Sequence, residues 1–406
     1  MLPPNLGHVS WRYDAVVAQE AVPGVSLWTV LREWGRIGVI GFGGPPAHIR
    51  LLRQLCVERK GWLDAREFED AIAVCNLMPG PASTQLAIFC AWRLRGPRGA
   101  LVGGACFIVP GLIVILALSA VFLAAHPPVW IKGAAAGADA AVPAVALSAA
   151  IGLAPASWRR VGAARSARAR WVSFLVIGGV AAALIGPFLV LFLIGCGLVE
   201  MLLRAPPRVS LSRHPRMLLP LAAAPAVAAG GLLSVAWVAF KVGALSYGGG
   251  FVIIPLMQHD AVHTYHWMTS AQFLSAVALG QVTPGPVVQT VAVVGYAAAG
   301  VGGGLLASAV AFIPSFVFVL AGGPRFDQLR RNPSIQAFLT GAGPAAIGAI
   351  AGATIPLGLA LSHLWQVAVL AAAVAWLIAL RRGVVAAIVG AGALGVIAAL
   401  AGAAIT

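Results

Sequence analysis

Gly41-Phe42-Gly43-Gly44-Pro45, followed by Met78-Pro79-Gly80-Pro81, returns later in the chain as Ser246-Tyr247-Gly248-Gly249-Gly250, followed by Thr283-Pro284-Gly285-Pro286. One shift of 205 residues, without a gap, lays the second copy over the first. Under it Arg36 falls on Lys241, Gly38 on Gly243, Phe42 on Tyr247, Trp62 on Trp267, Phe68 on Phe273 and Asn76 on Gln281. The chain is an internal duplication, and its function is to be sought where the two copies meet.

Of the 406 residues, 60% are hydrophobic and 10% charged, whereas soluble domains carry roughly 25% charged residues. Apolar runs long enough to span a bilayer, about 17–25 residues, recur from residue 101 to the end. This pattern describes an all-α integral membrane protein and excludes a soluble chain behind one leader peptide. The net charge of +15 would suggest nucleic acid in a soluble protein. Here the basic residues sit in short loops between apolar runs, where they set orientation in the lipid bilayer, and no nucleic-acid partner is implied. Cys56, Cys75, Cys90, Cys106 and Cys196 show neither CxxC nor ligand spacing. No metal site, disulfide frame or cofactor motif is read, nor any catalytic constellation.

Most of the 27 Lys and Arg residues fall in six clusters, at 50–66, 93–98, 159–170, 204–216, 325–331 and 381–382. If all six are cytoplasmic, neighbouring clusters are joined by an even number of crossings. Residues 71–92 lie between two clusters and are interrupted by Pro-Gly-Pro, which a continuous helix does not tolerate. They read as a re-entrant hairpin of two half-helices, permitted at membrane depth only inside protein or beside water. With an opening helix over 27–50, passes over 101–124 and 133–155, and a pair over 171–203 turning at Gly186-Pro187, the first half crosses five times.

An odd count inverts the second half. Its loop 257–271 carries Asp260 and three histidines but no Lys or Arg, opposite the Arg-rich 50–66. Residues 324–333 are basic where 126–132 has only Lys132. The expectation is an inverted-topology repeat of about ten transmembrane helices, the last pair over 365–380 and 384–403, plus two re-entrant broken-helix hairpins. The chain divides into an N-terminal extension (1–25), a first repeat (26–205), a linker (206–230) and a second, inverted repeat (231–406).

Inverted repeats with broken helices are a recurrent design of secondary transporters, in which exchanging the conformations of two like halves exposes one central site to either side. Arg36 and Lys241, at equivalent positions six residues before each aromatic-Gly-Gly break, suit an anion, since a cation in an apolar stretch calls for a partner or an aqueous cavity. The competing reading for Arg36 is pairing with Glu33. Gly43, Gly44, Gly248 and Gly249, beside Phe42 and Tyr247, free backbone N–H groups for an oxyanion, or else let helices pack closely. Around Pro79, Gly80 and Pro81, and around Pro284, Gly285 and Pro286, stand Asn76, Ser83 and Thr84 in one copy and Gln281, Gln289 and Thr290 in the other. These are substrate-binding candidates or caps of the broken ends. Asp139, then Glu33, are the candidate coupling carboxylates; Glu200 and Asp260 are expected near the surface, and His48 is expected to be isolated.

The aromatic-Gly-Gly segment, the ungapped spacer holding Trp62 or Trp267, the Pro-Gly-Pro and the following Pro110 or Pro314 together resemble the chromate ion transporter family, over roughly residues 26–160 and 231–355. The resemblance implies chromate export across the inner membrane of a bacterium by a multi-pass protein. It also implies chromate resistance and sulfate as shape-matched competitor; the lack of a nucleophile, metal or cofactor constellation separately argues against an enzyme. A sulfate or other small-oxyanion carrier is the alternative, with an anion channel behind it. Oligomeric state is open, a homodimer included.

Overall fold

The computed structural model describes residues 25–75, 80–124, 126–184, 189–204, 231–246, 252–322 and 332–404. All but the last residue of the N-terminal extension, the whole linker, the Gly186-Pro187 turn and the basic segment 325–331 lie outside the described residues.

The first half contains α1 (Leu27–Ile40), α2 (Pro45–Arg53), α3 (Ala65–Cys75), α4 (Ala82–Phe122), α5 (Val129–Val161), α6 (Arg165–Leu184) and α7 (Leu189–Arg204). The second contains α8 (Leu232–Leu245), α9 (Ile254–Gln258), α10 (Ser270–Val282), α11 (Thr290–Gly322), α12 (Pro333–Leu359), α13 (Leu364–Val374) and α14 (Val384–Leu400). The correspondence is element by element. α8 repeats α1 at the 205-residue shift, and the π-helical turns after α2 and α9, Gln54–Arg59 and His259–Thr264, repeat at the same shift.

The breaks repeat as well. Ser26 caps α1 by accepting from the Thr29 N–H, and α1 stops at Gly41 because Gly43 and Gly44 take φ of 97° and 71°, which L-residues with side chains rarely adopt. Pro45 then opens α2, where its missing N–H costs nothing. Within α4 the backbone leaves helical geometry at Arg95-Gly96, and α11 does the same at Ala299-Gly300. Each long helix is therefore a buried half-helix, about 20 Å long in α4 and about 14 Å in α11 at 1.5 Å per residue, joined to a membrane span.

Among the described residues α4, α5, α6, α12 and residues 287–322 are long and apolar enough to cross a bilayer, with α8, residues 364–379 and α14 as shorter apolar helices. Three sequence boundaries need correction. The single opening helix expected over 27–50 is two helices, for the glycine reason just given. The hairpin expected over 71–92 has longer arms: α3 begins at Ala65 because the Asp64 carboxylate caps it through Arg66 N–H at 2.9 Å, and its charged first turn is held by ion pairs of Glu67 with Arg93 and Glu69 with Arg53. The pass expected to begin at 171 begins at Arg165, the Arg-rich start being the first turns of α6.

The halves are not side by side but exchanged. α6 and α7 pack on α12 of the other half, and α13 and α14 pack on α5. Hydrophobicity cannot select partners in lipid, so these contacts rely on small residues that let backbones approach. Gly348 and Gly352 of α12 lie against the Leu175 and Gly179 carbonyls of α6, and Gly133 and Gly137 of α5 lie against Gly395 and Ala391 of α14. A Cβ at Gly348 would overlap the Leu175 carbonyl. Gly348→Val is therefore expected to destabilise the protein by on the order of 3 kcal/mol, whereas Gly152→Val, whose Cβ meets nothing within 4 Å, leaves stability within about 1 kcal/mol. A thermal melt followed by size-exclusion in detergent checks both.

Candidate functional site

The two Pro-Gly-Pro loops cross to the opposite half. The Gly285 N–H donates to the Gly41 carbonyl at 3.0 Å, and the Gly80 N–H donates to the Ser246 carbonyl. The acceptors are the C-cap residues of α1 and α8, whose carbonyls have no intrahelical partner. The donors stand just ahead of the half-helices that start at Ala82 and Val287. Gly41 and Ser246 are repeat equivalents, as are Gly80 and Gly285, so this is one interaction made twice by reciprocal partners. Both loop glycines have positive φ, 121° and 92°. Gly44 reaches the same region, its Cβ position lying 3.5 Å from Val287 Cγ2. Gly43 and Phe42 are exposed.

At the Gly41 crossing the histidine and the hydroxyls are matched. His48, fully buried, places Nε2 2.8 Å from the Gly41 carbonyl and Nδ1 3.2 Å from the Ser83 hydroxyl. A carbonyl only accepts, so Nε2 carries the proton and Nδ1 accepts from Ser83 in the neutral ring. His48 is thus not isolated, as the sequence suggested; the reason is that Gly41, seven residues back, folds onto it. Beside this crossing the Gln289 amide donates to the Ile108 carbonyl at 2.9 Å and accepts from Ser308 at 3.1 Å, and Thr290 donates to the Val287 carbonyl at 2.9 Å.

The Ser246 crossing differs. Ser246, Ser315 and Thr84 are fully buried, and their hydroxyls have no hydrogen-bond partner among the described residues. The Ser315 Oγ lies 3.2 Å from where a Gly80 Cβ would be. At the end of α10, four residues before Gly285 and so on the side of the Gly41 crossing, Gln281 is buried with its amide nitrogen unpartnered among the described residues. Pro81, Pro284 and Pro286 hold the loop ends in extended geometry or within buried backbone. Asn76, Pro79, Tyr247, Gly248 and Gly249 lie outside the described residues.

The two cations are balanced rather than bare. Arg36, about half exposed, is 3.6 Å from Glu33, which also pairs with Arg32 at 3.0 Å. Lys241 Nζ is 2.5 Å from Asp260 Oδ2 and 5.8 Å from the Trp237 ring centre. Asp260 is buried, correcting its expected surface position: the π-helical turn after α9 brings it against α8. Glu200 is likewise buried, held by Arg170 at 2.7 Å and by Arg204. Asp139 on α5 accepts from Ser275 of α10 at 2.9 Å. Its other oxygen has no partner among the described residues and it borders an apolar cavity of about 250 Å³ with Trp130, Leu279 and Ile388.

An all-α chain with several spans long and apolar enough to cross a bilayer and two crossing loops belongs to the general class of multi-pass membrane proteins, and comparison with known proteins makes the class specific. The family model described as "Chromate transporter" matches residues 28–201 and 233–396, one block in each half. The chain belongs to the chromate transporter family and is a multi-pass membrane protein. It is 34% identical over 344 residues to a chromate transport protein of Cupriavidus metallidurans, covering 82% of this chain and 83% of that one. It is 30% identical over 354 residues to a chromate transport protein of Pseudomonas aeruginosa, covering 83% of each. A probable chromate transport protein of Synechococcus elongatus is 29% identical over 346 residues, 83% of this chain and 86% of that one. No solved structure matches significantly.

Removing one member of the Lys241–Asp260 pair strands the other in a largely dry setting, at a cost on the order of 3 kcal/mol. Lys241→Met is expected to lower the apparent melting temperature. Asp260→Leu added to it, restoring the leucine found at the equivalent Leu55, recovers most of the loss, which a double-mutant thermal-melt cycle reads directly.

Proposed function

We propose that this protein is a secondary transporter that exports chromate across the bacterial inner membrane, and so confers chromate resistance, by alternating access at the crossing of the two repeats. The observation that carries the reading is the reciprocal crossing itself. A chain whose two loops exchange equivalent hydrogen bonds can trade the conformations of its halves while keeping the same set of bonds, and that is the requirement for one site to face either side in turn. Family membership and the names of its relatives support chromate as substrate.

The loop charges support inversion of the second half: Arg-rich 50–66 matches 257–271 without Lys or Arg. The crossing offers what a tetrahedral dianion needs, namely backbone N–H groups, buried hydroxyls and the positive ends of half-helices starting at Ala82 and Val287. Arg36 and Lys241 raise the local positive potential along the approach, with Glu33 and Asp260 as counter-charges that hold them when no anion is present. Asp139 is the proposed coupling carboxylate. Sulfate shares the charge and shape of chromate, and is the expected competitor.

The direct test is labelled chromate flux in inside-out vesicles with imposed pH and voltage gradients. Saturable accumulation that sulfate inhibits, and that Lys241→Gln or Arg36→Gln reduces at least tenfold at equal protein level, is the expected outcome. Flux that is non-saturable and shows no counterflow identifies a channel instead; sulfate flux without chromate flux identifies a sulfate carrier. For topology, Lys60→Cys and Thr264→Cys, both at exposed positions, are expected to react with a membrane-impermeant maleimide from opposite faces. Labelling from the same face overturns the inverted arrangement.

A further inference from the structure

The repeat makes the two crossings equivalent in backbone, yet four side-chain exchanges make them chemically unlike. Ser246 occupies the place of Gly41, and Ser315 that of Gly111 at the 204-residue shift that also relates Gly96 to Gly300. Ile253 occupies the place of His48, and Val288 that of Ser83. At the Gly41 crossing the bare Gly111 lies directly against the Pro284 carbonyl, with no room for a side chain. The gap beside the loop is filled by the His48 ring, held at both nitrogens and packed edge-on against Phe107, with ring centres 4.9 Å apart. Among the described residues no buried hydroxyl is left unpaired there: Ser83, Thr283, Thr290 and Ser308 all have partners.

At the Ser246 crossing the same place holds two added hydroxyls, and the histidine that could have satisfied them is replaced by isoleucine. Ser246, Ser315 and Thr84 are buried with no partner among the described residues. Buried hydroxyls are ordinarily paired, so three around one loop glycine with no partner among the described residues mark a place suited to a bound ligand. Unpaired hydroxyls beside the start of a half-helix fit an oxyanion that has shed its water.

We infer that the carrier has one oxyanion site and not two: the Gly80–Ser246 crossing takes the tetrahedral dianion through the hydroxyls of Ser246, Ser315 and Thr84, while the Gly41–Gly285 crossing is a pivot closed by His48. This rests on the transport reading above and says which of its two symmetric positions is occupied.

The test uses the purified full-length protein in proteoliposomes, with labelled chromate as probe. Ser246→Ala, Ser315→Ala and Thr84→Val are each expected to raise half-saturation at least fivefold, and Ser246→Ala/Ser315→Ala at least twentyfold, with maximal rate changed less. Ser119→Ala, which removes a buried hydroxyl that donates to the Ile115 carbonyl of its own helix, leaves half-saturation within twofold. Wild-type half-saturation in all three variants overturns the single-site inference and leaves transport standing; no saturable uptake by the wild type overturns both. Where a variant does not reconstitute, the rise in melting temperature produced by chromate or sulfate in detergent gives the same reading: present in the wild type, lost in Ser315→Ala. A shift retained in Ser315→Ala overturns the assignment.

Discussion

Two backbone hydrogen bonds, Gly285 to Gly41 and Gly80 to Ser246, tie the halves at the point where each helix is broken. A helix that ends inside a membrane leaves carbonyls without partners, and lipid supplies none. The structure answers one helix end with the loop of the other half, so each break is tolerable only because its counterpart exists. Glycine is required at both donors, since the positive φ that aims the N–H at the neighbouring carbonyl is costly for other residues. From this follow the burial of Gly80, Pro81 and Pro284-Gly285-Pro286, the half-helices and the packing of α4 on α11.

The exchange of outer helices serves the same end by a different force. Contacts of α6 and α7 with α12, and of α13 and α14 with α5, are made by glycine faces at backbone distance, as dispersion demands where both partners and solvent are apolar. The core at the crossings is held by hydrogen bonds and the periphery by close packing. This division suits the proposed alternating access, in which the centre rearranges while the frame persists.

Much of this was legible in the residues because duplication prints the same signal twice. The 205-residue shift located both breaks and the paired helices, and low charge with recurrent apolar runs placed the chain in a bilayer. The longer arms of the hairpin were missed because α3 opens with Arg66, Glu67, Glu69 and Asp70, charges that read as loop until Arg93 and Arg53 are seen to neutralise two of them. The burial of Asp260 and Glu200 was missed for the same reason: their partners, Lys241 and Arg170, are 19 and 30 residues away in sequence. His48 was overlooked because a lone histidine says nothing until Gly41 curls back to meet it. Ser315 was legible in principle. It stands opposite Gly111 once the shift is reduced by one after the second break, and a hydroxyl replacing a glycine in an otherwise faithful repeat is a sign of divided labour.

The exchanged packing also bears on how the protein is made. α5 is synthesised early, but its glycine face at Gly133 and Gly137 finds its cover, α14, only in the final stretch of the chain. For the time the ribosome takes to deliver more than two hundred further residues, the first half waits in the bilayer with that seam open to lipid or to whatever small-residue helix drifts past. Biogenesis of such a fold is therefore a matter of timing: whatever shields α5 in the interval, translocation machinery or lipid, acts as its temporary neighbour.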